Sequence, residues 1–429
     1  MTKTLIATMA SLCMTTTLIA GLANSPWPMV QGGAQHLGRA DVEGPRFLNT
    51  VVYQWDGGGR ITPPTIGEDG IYFTTGQYEG SGNSYLVAVD RELNERWRYT
   101  NDNNDMATRD VLTTVPAVND SGRIYFNSYY GSPSPYTHVY MVDEDGSYVG
   151  AWGATANYVQ SAPAIDEDGN VYWCRGNARG LMKNTSSFYA GSDDYIGGAP
   201  ALSEDGSAVY AGTNGGDGIR PLYAVNTSDM SEKWRVDKGT QGGAPLVDGN
   251  TIYVPGNSEL YAIRDDGSAG TELWNRTDID APSTVYGGLA LGTNGVLYSG
   301  ENDNGTLYAL DTSDGSDMWT LDFGTGKVTA PVIDGDGMLY VGFNDSIMKI
   351  EDLGTSGSVL WSLDVIGNVQ GLALGDGLPG MGSGFLYATT SDGYLYQIGI
   401  PEPCTITLFG LAAASGLIMR RRRDHRSEQ

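Results

Sequence analysis

Leu307-Tyr308-Ala309-Leu310-Asp311-Thr312-Ser313-Asp314-Gly315-Ser316-Asp317-Met318-Trp319 reads as a strand, a tight turn and a second strand that reaches a tryptophan. Leu307 to Leu310 mixes aliphatic and aromatic residues, as a short buried strand does. Asp311 to Gly315 is turn chemistry, because Asp and Ser bond nearby backbone and Gly accepts positive φ. The plan recurs at Leu222-Tyr223-Ala224-Val225 before Trp234, and at Leu260-Tyr261-Ala262-Ile263 before Trp274. Tryptophans at Trp55, Trp97, Trp152, Trp234, Trp274, Trp319 and Trp361 lie 42, 55, 82, 40, 45 and 42 residues apart. The spacing of 82 is two steps, so it holds a degenerate unit in which Phe188 or Tyr189 stands in for the tryptophan.

Each unit opens on a small residue before Pro or Gly, as in Ala162-Pro163, Ala199-Pro200, Ala244-Pro245 and Ala330-Pro331. An acidic-Gly turn follows, such as Asp166-Glu167-Asp168-Gly169 or Asp334-Gly335-Asp336-Gly337. Next comes an aromatic strand such as Ile71-Tyr72-Phe73 or Leu339-Tyr340-Val341. Short β-branched and aromatic runs between Asp-Gly and Asn-Gly turns signal antiparallel hairpins. Four strands per period of about 42 residues, repeated in a closed ring, predict an all-β fold: an eight-bladed β-propeller of four-stranded antiparallel blades. The last unit, Val369 to Ile398, has only three strands and no tryptophan, and Thr50 to Trp55 supplies the missing one. Pairing the two ends of the chain in one blade covers edges that would otherwise template aggregation.

The 307–319 unit resembles the pyrroloquinoline-quinone-type propeller repeat, in which Ala and Asp are followed by a turn glycine and then tryptophan. Leu222 to Trp234 is a looser match, with Asn226 for Asp and Met230 in place of the glycine. Trp27-Pro28-Met29-Val30-Gln31-Gly32-Gly33-Ala34-Gln35-His36-Leu37-Gly38-Arg39 is similar to the lead-in of many secreted members. The resemblance implies a propeller over roughly Trp27 to Gly399, with the tryptophans as structural residues packed between blades. One branch of the family, the quinoprotein dehydrogenases, would add a cofactor, a pair of adjacent half-cystines, and a calcium held by Glu, Asn and Asp. This chain has no Cys-Cys pair. Another branch, the BamB-like outer-membrane assembly propellers, is a non-catalytic eight-bladed scaffold, usually with a lipobox cysteine that is missing here.

The two ends of the sequence are expected to serve sorting. Lys3, the mostly apolar stretch Leu5 to Leu22, and small residues Gly21 and Ala23 predict a signal peptide over 1–23, cleaved after Ala23. At the other end Pro401-Glu402-Pro403 precedes an uncharged run, Cys404 to Met419, and then Arg420-Arg421-Arg422-Arg423. The run is somewhat short of the roughly 20 residues that span a bilayer, and the arginines would stay cytoplasmic. This tail resembles a PEP-CTERM signal of Gram-negative bacteria, which implies processing by an exosortase-type enzyme; a plain membrane anchor is the simpler reading. The expected organisation is thus a signal peptide (1–23), a lead-in (24–44), a propeller (45–399) and a sorting segment (400–429).

The formal net charge of −26 becomes more negative once both ends are removed, because the tail carries five Arg against Asp424 and Glu428. Such a charge excludes nucleic acid and anionic lipid as partners of the propeller and keeps an exported protein soluble. Of three cysteines only Cys174 lies between the two sorting segments, so no disulfide forms there, and its place in Val171-Tyr172-Trp173-Cys174 predicts a buried, inert thiol. His36 and His138 are the only histidines outside the tail, too few for a zinc site or a His-dependent triad. The acidic turns lack calcium-loop spacing, since Leu339 falls where a loop starting at Asp334 needs glycine. Hairpin turns are the better reading, with weak calcium binding as the alternative. Among 51 acidic residues no catalytic pair can be selected. The insertion Tyr129 to Tyr136 is either a connecting loop or a sugar- or peptide-binding one.

Together these features predict a monomeric, non-catalytic propeller without cofactor, a binding or structural scaffold at the envelope or surface of a Gram-negative bacterium. It would meet the membrane only through its C-terminal segment and bind a protein or exopolysaccharide of unknown identity. The alternatives are a periplasmic scaffold of outer-membrane assembly type and a quinone-dependent dehydrogenase.

Overall fold

The computed structural model describes residues 21–399 except 56–59, 77–83, 100–113, 129–135, 156–160, 176–179, 190–195, 214–219, 239, 241–242, 257, 282–287 and 378–382. Eight antiparallel sheets form the eight predicted blades. Labelled A to D outward from the axis, the strands of blade 7 are Val332–Ile333, Leu339–Phe343, Ser346–Asp352 and Gly357–Asp364. Because neighbours in a blade are antiparallel, the A–B and C–D turns of every blade share one end of the ring, here called the turn face.

The ring closes as the sequence predicts. Thr50–Gln54 pairs with Tyr394–Ile398 as the outermost strand of blade 8, with Thr50 opposite Ile398 and Gln54 opposite Tyr394. The Trp55 N–H extends the ladder by donating to the Gly393 carbonyl at 2.8 Å. Blade 1 departs from the simple plan. Its A strand is broken into Arg60–Ile61 and Thr65–Ile66, both paired with Ile71–Gly76. The break is Thr62-Pro63-Pro64, where two residues have no N–H to give a ladder.

A hydroxyl compensates for proline in several A strands. Thr62, Thr114, Ser161 and Thr329 each stand one or two residues before a proline, and each side-chain oxygen accepts from a strand B N–H. The donors are Thr74, Asn127, Cys174 and Gly342, at 2.9 to 3.1 Å. Strand B then reaches the next blade. Thr74 Oγ1, Asn127 Nδ2 and Cys174 Sγ donate to the carbonyls of Thr114, Ser161 and Gly198. Cys174 is therefore one link in a belt of hydrogen bonds between blades. Burial pushes its thiol up to about 12, which keeps it protonated and unreactive.

The tryptophans hold adjacent blades together. Trp55 lies against Tyr85 of blade 1. Inside blades 4 to 7 the tryptophan packs against a strand B tyrosine: Tyr210–Trp234, Tyr253–Trp274, Tyr298–Trp319 and Tyr340–Trp361 have ring centroids 5.8 to 6.0 Å apart. Its other side lies on the C–D turn of the following blade. A Cβ on Gly315 would sit 2.7 Å from Trp274 Cε3, and one on Gly146 would sit 2.9 Å from Trp97 Cδ2. Both glycines also have positive φ, so glycine serves conformation and packing at once. In the degenerate third blade Phe188 is buried against Tyr223 of blade 4 and Tyr189 points outward, 60% exposed. Neither stands in for the tryptophan: the row of the strand B Tyr172 holds Lys183 and Ser186 in its place. Lys183 Nζ donates to Thr227 O in the C–D turn of blade 4, as Trp274 Nε1 does to Thr312 O in that of blade 6.

Candidate functional site: the closed axis and the turn face

Strand A, only two or three residues long in blades 2 to 7, turns a free edge toward the axis, and a buried backbone edge must find partners. The lead-in supplies them. Carbonyls of Trp27, Pro28, Ala34, Gln35, Leu37 and Gly38 accept from the N–H groups of Ile66, Val118, Leu202, Val247, Leu291 and Ile333. These donors belong to the A strands of blades 1, 2, 4, 5, 6 and 7. One segment can meet six blades only from inside the ring, so the lead-in lies across the axis at the turn face. It continues to blade 8, where Glu43 O accepts from Gly384 N, and then runs outward to the closing strand. Gly21, Leu22 and Ala23, the last residues of the expected leader, also pair with blade 2 at Val118 to Asp120.

Side chains lock the plug. Trp27, Met29 and His36 are buried. Gln31 Nε2 donates to Leu289 O, and Arg39 Nη1 donates to Leu291 O. His36 Nδ1 lies 2.9 Å from the Pro245 carbonyl, so that nitrogen carries the proton. Burial lowers the pKa of His36 to about 4, against the opposing pull of this bond, and the ring is neutral at neutral pH. Gly38 has φ 66° and packs against Ala290, where a Cβ would come within 2.7 Å.

The acidic turns serve as clamps. Asp265, in the C–D turn of blade 5, accepts from Trp234 Nε1 (2.9 Å), Tyr210 Oη (2.7 Å), Lys233 Nζ (2.8 Å) and its own turn at Gly267 N (2.7 Å). Burial alone would raise this carboxyl, but the four donors outweigh it and hold it below the ordinary carboxylate range. Asp352 binds Trp319 and Tyr298 of blade 6 in the same way. Asp334 accepts from Tyr340 Oη and from Gly44 N, joining a turn of blade 7 to the lead-in. Of the turns that resemble the start of a calcium loop in sequence, the one at Asp334 thus ties blade 7 to the plug, and in the other Asp166 accepts from Tyr172 Oη of its own blade.

Among the described residues, the depressions on the turn face include these three. One of about 510 Å³ lies between blades 4 and 5, lined by Ser203, Asp205, Lys233, Asn250 and Asp265. A second, about 650 Å³, follows the lead-in past Arg39, Asp41 and Asp376. The third, about 270 Å³, gathers Glu68, Asp69, Asp120 and Glu144 beside Ala23 and Asn24. There burial, reinforced by Asp69, pushes Glu144 above the usual carboxylate range. Among the described residues no three His, Cys, Asp or Glu side chains come together as a metal site.

The sorting residues Pro401, Glu402, Pro403 and Arg420 to Arg423 lie outside the described residues, as does 129–135 of the expected loop. Residue 138 falls within Tyr136–Val142, the third strand of blade 2. Among the described residues no helix is long and apolar enough to cross a membrane.

Residues 257–400 match a family described as outer membrane protein assembly factor BamB. No curated protein matches. Among solved structures, BamB from Moraxella catarrhalis is 17% identical with TM-score 0.58, over 82% of this chain and 99% of that one. A europium-containing methanol dehydrogenase is 12% identical with TM-score 0.66, over 88% of this chain and 98% of that one. The quinohemoprotein alcohol dehydrogenase from Comamonas testosteroni is 11% identical with TM-score 0.63, over 88% and 81%. The likeness to these structures is one of fold, the β-propeller.

Proposed function

We propose that this chain is an exported, non-catalytic propeller that acts as a binding or structural scaffold at the cell envelope, sorted through its C-terminal segment. The observation that carries the reading is how the polar groups of the turn face are spent. Asp265 and Asp352 lock neighbouring blades, Asp334 holds the lead-in to blade 7, and the lead-in occupies the axis end. What this face offers a partner is a rigid, acidic surface with three depressions. A protein or exopolysaccharide with cationic or hydroxyl groups fits it.

A quinone with calcium, which the dehydrogenase branch would imply, does not fit the groups present. Cys174, the one thiol among the described residues, is buried, and no three metal-ligating side chains converge there. Calorimetric melting of the purified protein with pyrroloquinoline quinone and calcium tests this: no shift is expected, and a saturable rise in Tm would overturn the non-catalytic reading. The match of residues 257–400 to the BamB description supports a second reading, a periplasmic assembly scaffold. Crosslinking in whole envelopes separates the two, since only that reading expects capture of a barrel-assembly subunit.

A further inference from the structure

Among the described residues, six of the eleven exposed large apolar side chains belong to blades 7 and 8 or border them: Leu48, Val52, Leu353, Val359, Leu360 and Ile366. Val52 is in the outermost strand of blade 8, and Val359 and Leu360 are in that of blade 7. Leu353 lies in the C–D turn of blade 7, and Ile366 in its connection to blade 8. The strip therefore runs along the rim from the turn face to the opposite end. Charge is scarce there. Thr50–Gln54 has no charged residue, and Gly357–Asp364 has only its terminal Asp364. On blade 1 the outermost strand carries Glu95, Arg96 and Arg98, and on blade 4 it carries Glu232, Lys233 and Arg235. Single apolar residues on blades 5 and 6, Leu273 and Met318, stand next to Glu272 and Asp317. Among the described residues the exposed aliphatic side chains cluster most densely at blades 7 and 8, where Val52, Val359 and Leu360 lie on nearly uncharged strands although Leu353 adjoins Asp352. A smaller uncharged pair, Tyr148 and Val149, lies on blade 2, and such patches mark interaction surfaces.

The place where the chain leaves the ring says what covers this patch. Gly399 N donates to Asn49 O, so the chain departs at the edge of blade 8 beside Leu48. Residues 400–403 alone separate it from the uncharged run Cys404 to Met419. At the maximum of about 3.5 Å per residue, such a connection reaches about 15 Å. If that run enters a bilayer, the edge of blade 8 is held within this distance of the lipid surface.

We propose that blades 7 and 8 rest rim-on against the lipid surface while the tail is present, with Leu353, Leu360 and Ile366 entering the interface. This inference rests on the reading that residues 404–419 insert in the membrane. The net charge of −26 selects the lipid: the surface is zwitterionic, because an anionic one repels the ring. The same arrangement presents Pro401 to Pro403 at the membrane surface, within reach of a processing enzyme there.

The test uses the full chain in a C13S/C404S background, with a polarity-sensitive fluorophore on Leu353→Cys, Ile366→Cys or, across the ring, Ser228→Cys. Vesicles of phosphatidylcholine with brominated acyl chains supply the surface. The expected result is flotation with the vesicles, with a blue shift and quenching at 353 and 366 and neither at 228. Flotation with all three positions equally wet would overturn the rim contact while leaving the tail reading intact. Failure to float would overturn both.

Discussion

Replacing Asp265 with alanine tests whether the acidic turns hold the ring together. The substitution removes the acceptor for Trp234 Nε1, Tyr210 Oη, Lys233 Nζ and Gly267 N in one step. Two of these donors, on Trp234 and Tyr210, lie in the interface between blades 4 and 5, and leaving each without a partner costs about 1–3 kcal/mol. Lys233 loses its counter-ion but is 21% exposed at the side chain, so water recovers part of that loss. The combined cost is about 3–5 kcal/mol, the range for removing one member of a buried pair. Asp265→Asn keeps an oxygen acceptor without the charge and should fall between alanine and the parent. Denaturant unfolding followed by tryptophan fluorescence gives the comparison, with the midpoint falling at unchanged slope. The parent should also lose this contribution in acid. The folded carboxyl lies below its ordinary value, so its stabilisation is complete above about pH 4 and disappears as pH falls through the depressed value. An alanine variant that unfolds within about 1 kcal/mol of the parent, with the same acid limb, would refute the clamp.

Three further outcomes follow from the geometry. His36 is buried neutral with a pKa of about 4 against 6.5 when free, so its unfolded form takes up the proton first. Stability from this group is therefore complete above about pH 6.5 and falls by about 3 kcal/mol on the way down to pH 4; His36→Gln should flatten that limb of a stability–pH profile. Gly315→Ala forces a Cβ to 2.7 Å from Trp274 Cε3 at positive φ, and should lower stability by about 2–4 kcal/mol in the same unfolding assay. Paired prolines at Val51 and Val52 must remove an N–H aimed at Tyr394–Ile398, since adjacent N–H groups in a strand point opposite ways. The closed ring should lose about 3 kcal/mol or more and become susceptible to proteolysis near Thr50.

The ring was legible because its signals are side-chain chemistry at fixed intervals. Tryptophan spacing gave the blades, and the missing strand after Tyr394–Ile398 pointed to Thr50–Gln54. Spacing misplaced the substitute in blade 3, since Lys183 and Ser186 rather than Phe188 share the row of Tyr172. The plug was not legible, because the carbonyls of Trp27, Ala34 or Leu37 that hold it are groups every residue has. The clamps were hidden differently. Asp265 and Asp352 look like turn residues in sequence, and only folding brings the tryptophan and tyrosine of the preceding blade to them. One missed feature did leave a trace: Thr114, Ser161 and Thr329, each two residues before a proline, mark where a hydroxyl replaces a ladder bond. Thr62-Pro63-Pro64 likewise announces the broken strand of blade 1.

Protease shaving of intact cells, with mass spectrometry of the protein's C-terminal peptide, tests the envelope-scaffold reading most directly. The account predicts that blade peptides are released and that the chain ends near Pro401 to Pro403, without Arg420 to Arg423. Protected blades on a chain that keeps those arginines would contradict it, leaving a plain anchor and a periplasmic scaffold in its place.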